Sequence, residues 1–389
     1  MRPAPVIILG GAANALSVAR SLGRAGADVY ALVAPGEFVR RSRFCQPIDV
    51  PGGVAGWTDF LLGPESERWT GAVLLSCSDD GIELIAEHRE ALARRFLLDD
   101  SHPPAQRAML NKLDTYRAAE TAGVPTPRFW VAGLEGGLDA IAAVAEFPLI
   151  VKPCLSHVFE SQTGRKLFVV NDRDALGRAV ATVAGTGTES LVVEMIPGLD
   201  SRLCSYFTYL DDQSQPLFHF TKRIVRRYPT LRGTACYHVT DHIPEAVELG
   251  NRLFRAVGLR GLANVEFKLD ARDGRLKLIE CNARFTASNA LVAHSGIDLA
   301  LFVYNRLTGL PPPPTDHFRS GMRMWDPIRD FQAYRELSRA GELSLVGWLR
   351  SVCRRQMFPF FEWSDPMPAL ARLTKPLRNR LGLLADVGG

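Results

Sequence analysis

Residues 264–284 read Asn264-Val265-Glu266-Phe267-Lys268-Leu269-Asp270-Ala271-Arg272-Asp273-Gly274-Arg275-Leu276-Lys277-Leu278-Ile279-Glu280-Cys281-Asn282-Ala283-Arg284. Two alternating runs flank Arg272-Asp273-Gly274, and a three-residue hairpin loop ends on a left-handed residue, which glycine supplies. That register sets Ala271 against Arg275, Phe267 against Ile279 and Val265 against Cys281 on an apolar face. Glu266 then opposes Glu280 on the other face, with Asn264 opposite Asn282. Carboxylates directly across two strands repel. Either the face is solvated and the charges are ordinary, or a cation or proton sits between the two acids. Glu266, Glu280 and the Asn282 amide offer hard oxygen ligands of the kind Mg²⁺ takes, with phosphate oxygens and waters completing its shell. Arg284, further along the same face, would point at those phosphates.

Upstream, Phe147-Pro148-Leu149-Ile150-Val151-Lys152-Pro153 ends an apolar strand on a lysine. A half-buried ammonium there is costly without an anion. Lys112, in Asn111-Lys112-Leu113-Asp114, precedes a helix that Asp114 can cap, and Lys166 precedes the strand Leu167-Phe168-Val169-Val170. Singly, these two read equally well as surface lysines. Leu191-Val192-Val193-Glu194-Met195-Ile196-Pro197-Gly198-Leu199-Asp200 runs a strand into a Pro-Gly turn. The backbone from Glu194 to Ile196 could read an adenine edge and Asp200 could accept from ribose hydroxyls; a plain strand end is the competing reading.

The chain starts with an apolar run, Val6-Ile7-Ile8-Leu9, then Gly10-Gly11, helical spacing of Leu16, Ala19 and Leu22, and a second strand from Ala27 to Val33. This is a βαβ unit with parallel strands. Ala72-Val73-Leu74-Leu75-Ser76-Cys77 repeats the theme, with Ser78 or Asp79 able to cap a helix through about Arg95. Residues 1–100 read as a Rossmann-like α/β domain. From Ile150 onward shorter strands and hairpins mark an α+β region, with helices near Ala175–Val183 and Pro244–Val257. Pro311-Pro312-Pro313-Pro314 is a rigid spacer ahead of a helical, partly amphipathic tail rich in Trp, Arg and Pro. Three placements of Leu345-Val346-Gly347-Trp348-Leu349-Arg350 and Phe358-Pro359-Phe360-Phe361 stay open: packed on the core, in a homodimer interface, or on a membrane surface.

In this order the pieces resemble the ATP-grasp superfamily: Lys152-Pro153 on a strand, the Glu194…Pro197-Gly198 hinge, Asn264-Val265-Glu266-Phe267, and Glu280-x-Asn282-x-Arg284. The match covers about residues 1–310. Asn14-Ala15-Leu16-Ser17-Val18-Ala19-Arg20-Ser21-Leu22-Gly23 and Ser76-Cys77-Ser78-Asp79-Asp80 make it most similar to carboxylate–amine ligases of the D-aspartate ligase kind. The resemblance implies a pre-ATP-grasp domain at 1–100 and an ATP-grasp domain at 101–310. The latter has a small lobe at about 125–195 and a large lobe at about 196–310, and the spacer and tail occupy 311–389. It implies that Lys112, Lys152 and Lys166 meet ATP phosphates, and that Glu194, Met195 and Ile196 bind adenine with Asp200 on ribose. Glu266, Glu280 and Asn282 would hold one or two Mg²⁺ (or Mn²⁺), with Arg284 beside the transferred phosphoryl group. The flap Cys154-Leu155-Ser156-His157-Val158-Phe159-Glu160-Ser161-Gln162-Thr163-Gly164-Arg165-Lys166 departs from the glycine-rich pattern, so Arg165 and Lys166 would close over the phosphates.

The implied chemistry is ATP-dependent activation of a carboxylate as an acyl phosphate, then attack by an amine, with amino-acid or peptide-like substrates. In the basic run Thr221-Lys222-Arg223-Ile224-Val225-Arg226-Arg227-Tyr228-Pro229, Lys222 and Arg223 are assigned to the acyl phosphate. Arg226 or Arg227 would recognise a carboxylate, unless the run is a solvated loop. An acyl-phosphate-forming kinase or a carboxylase could use the same ATP site. A nicotinamide oxidoreductase fits less well, because Gly10-Gly11 lacks the G-x-G-x-x-G spacing.

Composition sets the outer limits. At 389 residues, 47% hydrophobic and 23% charged, the chain is long enough for two or three globular domains and too apolar for disorder. A net charge of +4 with no wider basic stripe argues against a nucleic-acid partner. Seven scattered cysteines without C-x-x-C spacing, no signal-peptide pattern and no stretch of about 18 apolar residues predict a cytoplasmic protein.

Overall fold

The computed structural model describes residues 3–132 and 137–380; residues 381–389 of the tail lie outside them. Two compact units emerge. One spans Met1–Ser101, Cys236–Thr240 and Arg284–Gly389, the other His102–Ala235 and Asp241–Ala283, each within the described residues.

In the first unit the apolar runs form a parallel sheet in the order Gln46–Pro47, Val29–Leu32, Val6–Leu9, Val73–Ser76. Helix Ala13–Arg24 follows the first strand. Between them Gly10 and Gly11 adopt φ of +66° and +88°, and a Cβ on Gly10 would fall 2.2 Å from Ser78 Oγ, so this turn requires glycine. Asn14 locks the turn: its Oδ1 accepts from the Ala12 amide at 2.8 Å, and its Nδ2 donates to the carbonyls of Cys77 (2.5 Å) and Phe285 (3.0 Å). One sheet face is filled by Ile7, Leu9, Leu32, Trp57, Phe60 and Leu74. Ser78 caps the next helix, accepting from the Gly81 amide at 3.1 Å, but that helix stops at Glu87 and a short second one, Arg89–Ala93, follows.

The tail belongs to this unit. Its helices are Pro327–Arg339, Leu345–Val352 and Met367–Arg380. Buried Asp330 accepts from the indole nitrogens of Trp325 and Trp348, both at 2.9 Å. Buried Asp365 accepts from Arg20 Nε (2.9 Å), Ser42 Oγ (2.7 Å) and the Arg43 amide (3.0 Å). Of the three placements, part of the tail takes the packed one. Among the described residues no helix is long and apolar enough to cross a membrane.

The second unit holds two antiparallel sheets. The smaller runs Phe129–Val131, Ser190–Glu194, Leu149–Pro153, Phe168–Val170. Leu149, Val151 and Val192 pack on helix Arg173–Ala184 through Leu176, Ala179 and Val183. The larger places Leu276–Asn282 beside Gly261–Leu269, then Leu203–Leu210, then Phe220–Tyr228. Its apolar face, Val265 and Tyr206, lies on helix Pro244–Val257, where Gly250 permits the approach: a Cβ there would sit 2.5 Å from Tyr206 Cδ1. Covering each large apolar side chain on this face contributes about 1.5–3 kcal/mol, which holds the opposite, polar face of the sheet in place.

Candidate active site

The polar face of the larger sheet carries one continuous row of side chains. Glu280 pairs with Glu266, Glu266 with Ser205, and Ser205 with Lys222, so four adjacent strands each contribute one residue at the same level. Directly paired residues share a face, with Cβ atoms roughly 5 Å apart. The next level is Asn282, Asn264, Phe207 and Phe220. Asn264 Nδ2 donates to the Tyr206 carbonyl at 3.1 Å, which leaves Asn282 as the outer amide of that level. The opposition of Glu266 and Glu280 is as the alternation requires, but beyond it the register shifts. Phe267 faces Leu278, not Ile279, because a bulge follows Glu266. The phase of the strand carries the shift: Leu276 and Leu278 are apolar in one phase and Cys281 in the other, as one extra residue requires.

The bulge has a partner. Tyr116, on helix Lys112–Thr121, donates from its hydroxyl to the Ile279 carbonyl at 3.1 Å and accepts from Lys152 Nζ at 3.0 Å. Lys152 is buried, with its ammonium 4.9 Å from the Tyr116 ring centroid. Burial lowers its pKa to about 8, opposed by the nearby Glu280 carboxylate. Lys222 is likewise buried and its pKa lowered by desolvation, opposed by Glu266; the Phe207 ring lies 5.7 Å from its Nζ. Burial pushes the Glu266 carboxyl upward, Glu280 adds to this, and Lys222 opposes it. Two half-buried acids and an amide therefore share one side of this unit with two buried lysines.

The family described as "Carbamoyl-phosphate synthase L chain, ATP binding domain" matches residues 244–307, which include the two strands carrying Glu266, Glu280 and Asn282. D-aspartate ligase of Enterococcus faecium (strain Aus0004) is 26% identical over 318 residues, covering 76% of this chain and 75% of that one. The chain has the ATP-grasp fold. Within that superfamily its sequence is similar to D-aspartate ligase. Two solved structures share the fold. L-amino acid ligase from Bacillus licheniformis has a TM-score of 0.58, 18% identity, and coverage of 79% of this chain and 75% of that one. The Hydrogenobacter thermophilus 2-oxoglutarate carboxylase biotin carboxylase domain, solved with MgADP, ADP and bicarbonate, has a TM-score of 0.62, 16% identity, and coverage of 82% and 73%.

In this ATP-grasp fold the hinge is braced from the sheet. Lys268, two residues from Glu266, donates to the carbonyls of Ile196 and Gly198, both at 2.8 Å, and burial lowers its pKa to about 8. Glu194 is buried and held by Arg272 NH1 at 2.7 Å and the Arg128 amide at 3.3 Å. Burial pushes Glu194 up, but the Arg272 and Arg128 hydrogen bonds outweigh it and keep the carboxyl below its usual range. Arg272 stands at the hairpin tip and forks to Asp270 as well, tying the hairpin to the hinge. The Glu194 side chain is thus committed to arginines, and the hinge offers its backbone. Asp200 accepts from Arg227 Nε at 2.7 Å and the Leu231 amide at 3.0 Å.

The remaining expected residues are dispersed. Asn111, not Asp114, caps the helix that Lys112 opens, accepting from the Leu113 and Asp114 amides at 2.9 and 3.3 Å. The glycine-poor flap folds as a helix, Ser156–Thr163, and Lys166 pairs with Glu160 at 3.4 Å on the surface. The basic run is a strand, so alternation sends Lys222 and Arg226 inward, while Arg223 pairs with Asp241 at 2.6 Å and Arg227 with Asp200. Arg284 belongs to the first unit, where its Nε donates to Asp79 Oδ1 at 2.5 Å. Sequence reasoning missed Tyr116, Lys268 and Arg272. Lys268 could have been found, because it shares the face of Glu266 and Asn264.

Among the described residues no group of three or more His, Cys, Asp or Glu side chains could by itself hold a metal ion. The pair Glu266 and Glu280 with Asn282 fits a hard cation that draws its other ligands from a bound phosphate and water. The elevated Glu266 carboxyl, raised by burial and by the facing Glu280, marks a place where positive charge is lacking.

Proposed function

We propose that this enzyme uses ATP to convert a carboxylate into an acyl phosphate and passes the acyl group to an amine, with an amino acid or peptide-like molecule as substrate. The row Glu280–Glu266–Ser205–Lys222, with Lys152 held behind Glu280 by Tyr116, carries the reading. A carboxylate has no adequate leaving group until its oxygen is phosphorylated. Charge neutralisation and positioning are then what the protein must provide. Lys152 and Lys222, stripped of water, would bind the phosphoryl oxygens, and Lys112 and Lys166 would approach the same phosphates. The backbone at Met195 and Ile196, braced by Lys268, would receive adenine, with Glu194 fixing the hinge and Asp200 facing ribose. Glu266, Glu280 and Asn282 would hold Mg²⁺, which when bound offsets the phosphate charge. Arg284 is assigned to the transferred phosphoryl group on its sequence position. Arg223, paired on the other side of its strand, leaves the acyl phosphate to Lys222. An amine attacking the acyl carbon then releases phosphate, and no enzyme nucleophile is needed.

The test is ADP formation with a panel of amino acids and small carboxylates, singly and in pairs, with products weighed by mass spectrometry. Acidic amino acids lead the panel because of the likeness to D-aspartate ligase. The expected result is ADP only with one acid–amine pair, together with the mass of their amide. ADP with an acid alone and a stable acyl phosphate would instead make the enzyme a kinase.

A further inference from the structure

We propose that the C-terminal helices form a docking face for an anionic lipid bilayer, so that the enzyme works as a peripheral membrane protein. Residues 327–389 hold 10 Lys and Arg against 6 Asp and Glu, a net +4 that equals the charge of the whole chain, so the preceding 326 residues are neutral in sum. Apolar side chains stand exposed in the same segment. On helix Leu345–Val352, Leu345, Val346 and Leu349 are exposed and none of its residues is buried. On helix Met367–Arg380, Met367, Leu370 and Leu373 recur at spacing three, which is one face, and all are exposed. Between these helices Trp363 is 90% exposed, edge-on to Phe361 at 4.9 Å. Arg350, Arg354 and Arg355 are exposed at the end of the first helix.

This is the make-up of an interfacial element: leucines and tryptophan for the boundary of headgroup and acyl chain, arginines for anionic headgroups. The segment does not float. Asp330 holds two of its helices together through Trp348, and Asp365 ties it to Arg20, so the exposed apolar residues are presented on an ordered support. A second copy is a poorer occupant. Symmetric self-pairing sets the same patch against itself, and here that brings two positive surfaces together.

The test is co-sedimentation of the full chain with vesicles of phosphatidylcholine alone or mixed with phosphatidylglycerol, with gel filtration alongside and thermal melts to confirm that variants fold. The expected result is binding to the mixed vesicles only, weakened by salt. Binding should be lost in Trp363→Ser/Leu349→Asp/Leu370→Asp and reduced about a hundredfold in Arg350→Ser/Arg354→Ser/Arg355→Ser, at about fivefold per arginine. Equal or absent binding to both vesicles overturns the proposal. So does binding that survives the apolar substitutions, which would mark a polyanion site, or a dimer that those substitutions dissociate without any vesicle binding.

Discussion

Glu266 and Glu280 face each other on adjacent strands, and burial together with Glu280 raises the Glu266 carboxyl. A carboxyl raised in the fold adds stability at pH below its raised pKa and loses that contribution as pH climbs through it. At neutral pH the ionised pair therefore costs folding free energy until a cation arrives. Glu280→Gln should raise the melting temperature of the ligand-free protein, by an amount equivalent to about 1 kcal/mol, and abolish the extra stabilisation by Mg·ATP. Melts with and without Mg·ATP check both; a variant less stable when ligand-free and still responsive to Mg·ATP contradicts the pairing. Lys152 and Lys268 have the opposite sign. Their pKa values fall from 10.5 to about 8, so between those limits the unfolded chain holds protons the fold has released. Their contribution to stability accordingly rises with pH across that window. Phosphate beside Lys152 restores its charge, so ATP binding should take up protons near pH 8–9 and weaken as pH rises further. Calorimetry in buffers of different ionisation enthalpy measures this, and Lys152→Met should lose it.

At the scale of elements, the hairpin, the hinge and helix Lys112–Thr121 act together. Tyr116→Phe leaves the Ile279 carbonyl and the Lys152 ammonium each short of a partner, which should destabilise the protein by about 1–3 kcal/mol. It should also raise KM for ATP while kcat changes little. Denaturation and initial-rate kinetics separate the two effects. These elements also show what the amino-acid order could reveal. The opposed acids were legible because strand alternation is local and has period two. The bond from Tyr116 to Ile279 and the reach of Arg272 to Glu194 join residues 163 and 78 positions apart, and nothing local records them. The basic run 221–229 was open to reading as a loop because charge dominates it. In the structure Lys222 is covered, its charge answered by Glu266.

For the whole molecule, the parallel βαβ start and the antiparallel second unit follow from hydrophobic patterning. Which unit each later segment joins does not, because the chain returns from the second unit to the first at 236–240 and again at 284. The tail is tied to the first unit through Asp365. Asp365→Ala strands the buried Arg20 guanidinium and should cost about 3–5 kcal/mol, seen as a lower melting temperature for the transition that includes residues 1–101. Activation of the carboxylate as an acyl phosphate is read most directly in the fate of one oxygen. The acid identified by the substrate panel, labelled with ¹⁸O in its carboxylate, is turned over with ATP and its amine, and the phosphate released is weighed. Activation through an acyl phosphate predicts one labelled oxygen in that phosphate, with ADP as the other product. Unlabelled phosphate, or AMP and pyrophosphate in place of ADP and phosphate, would contradict it.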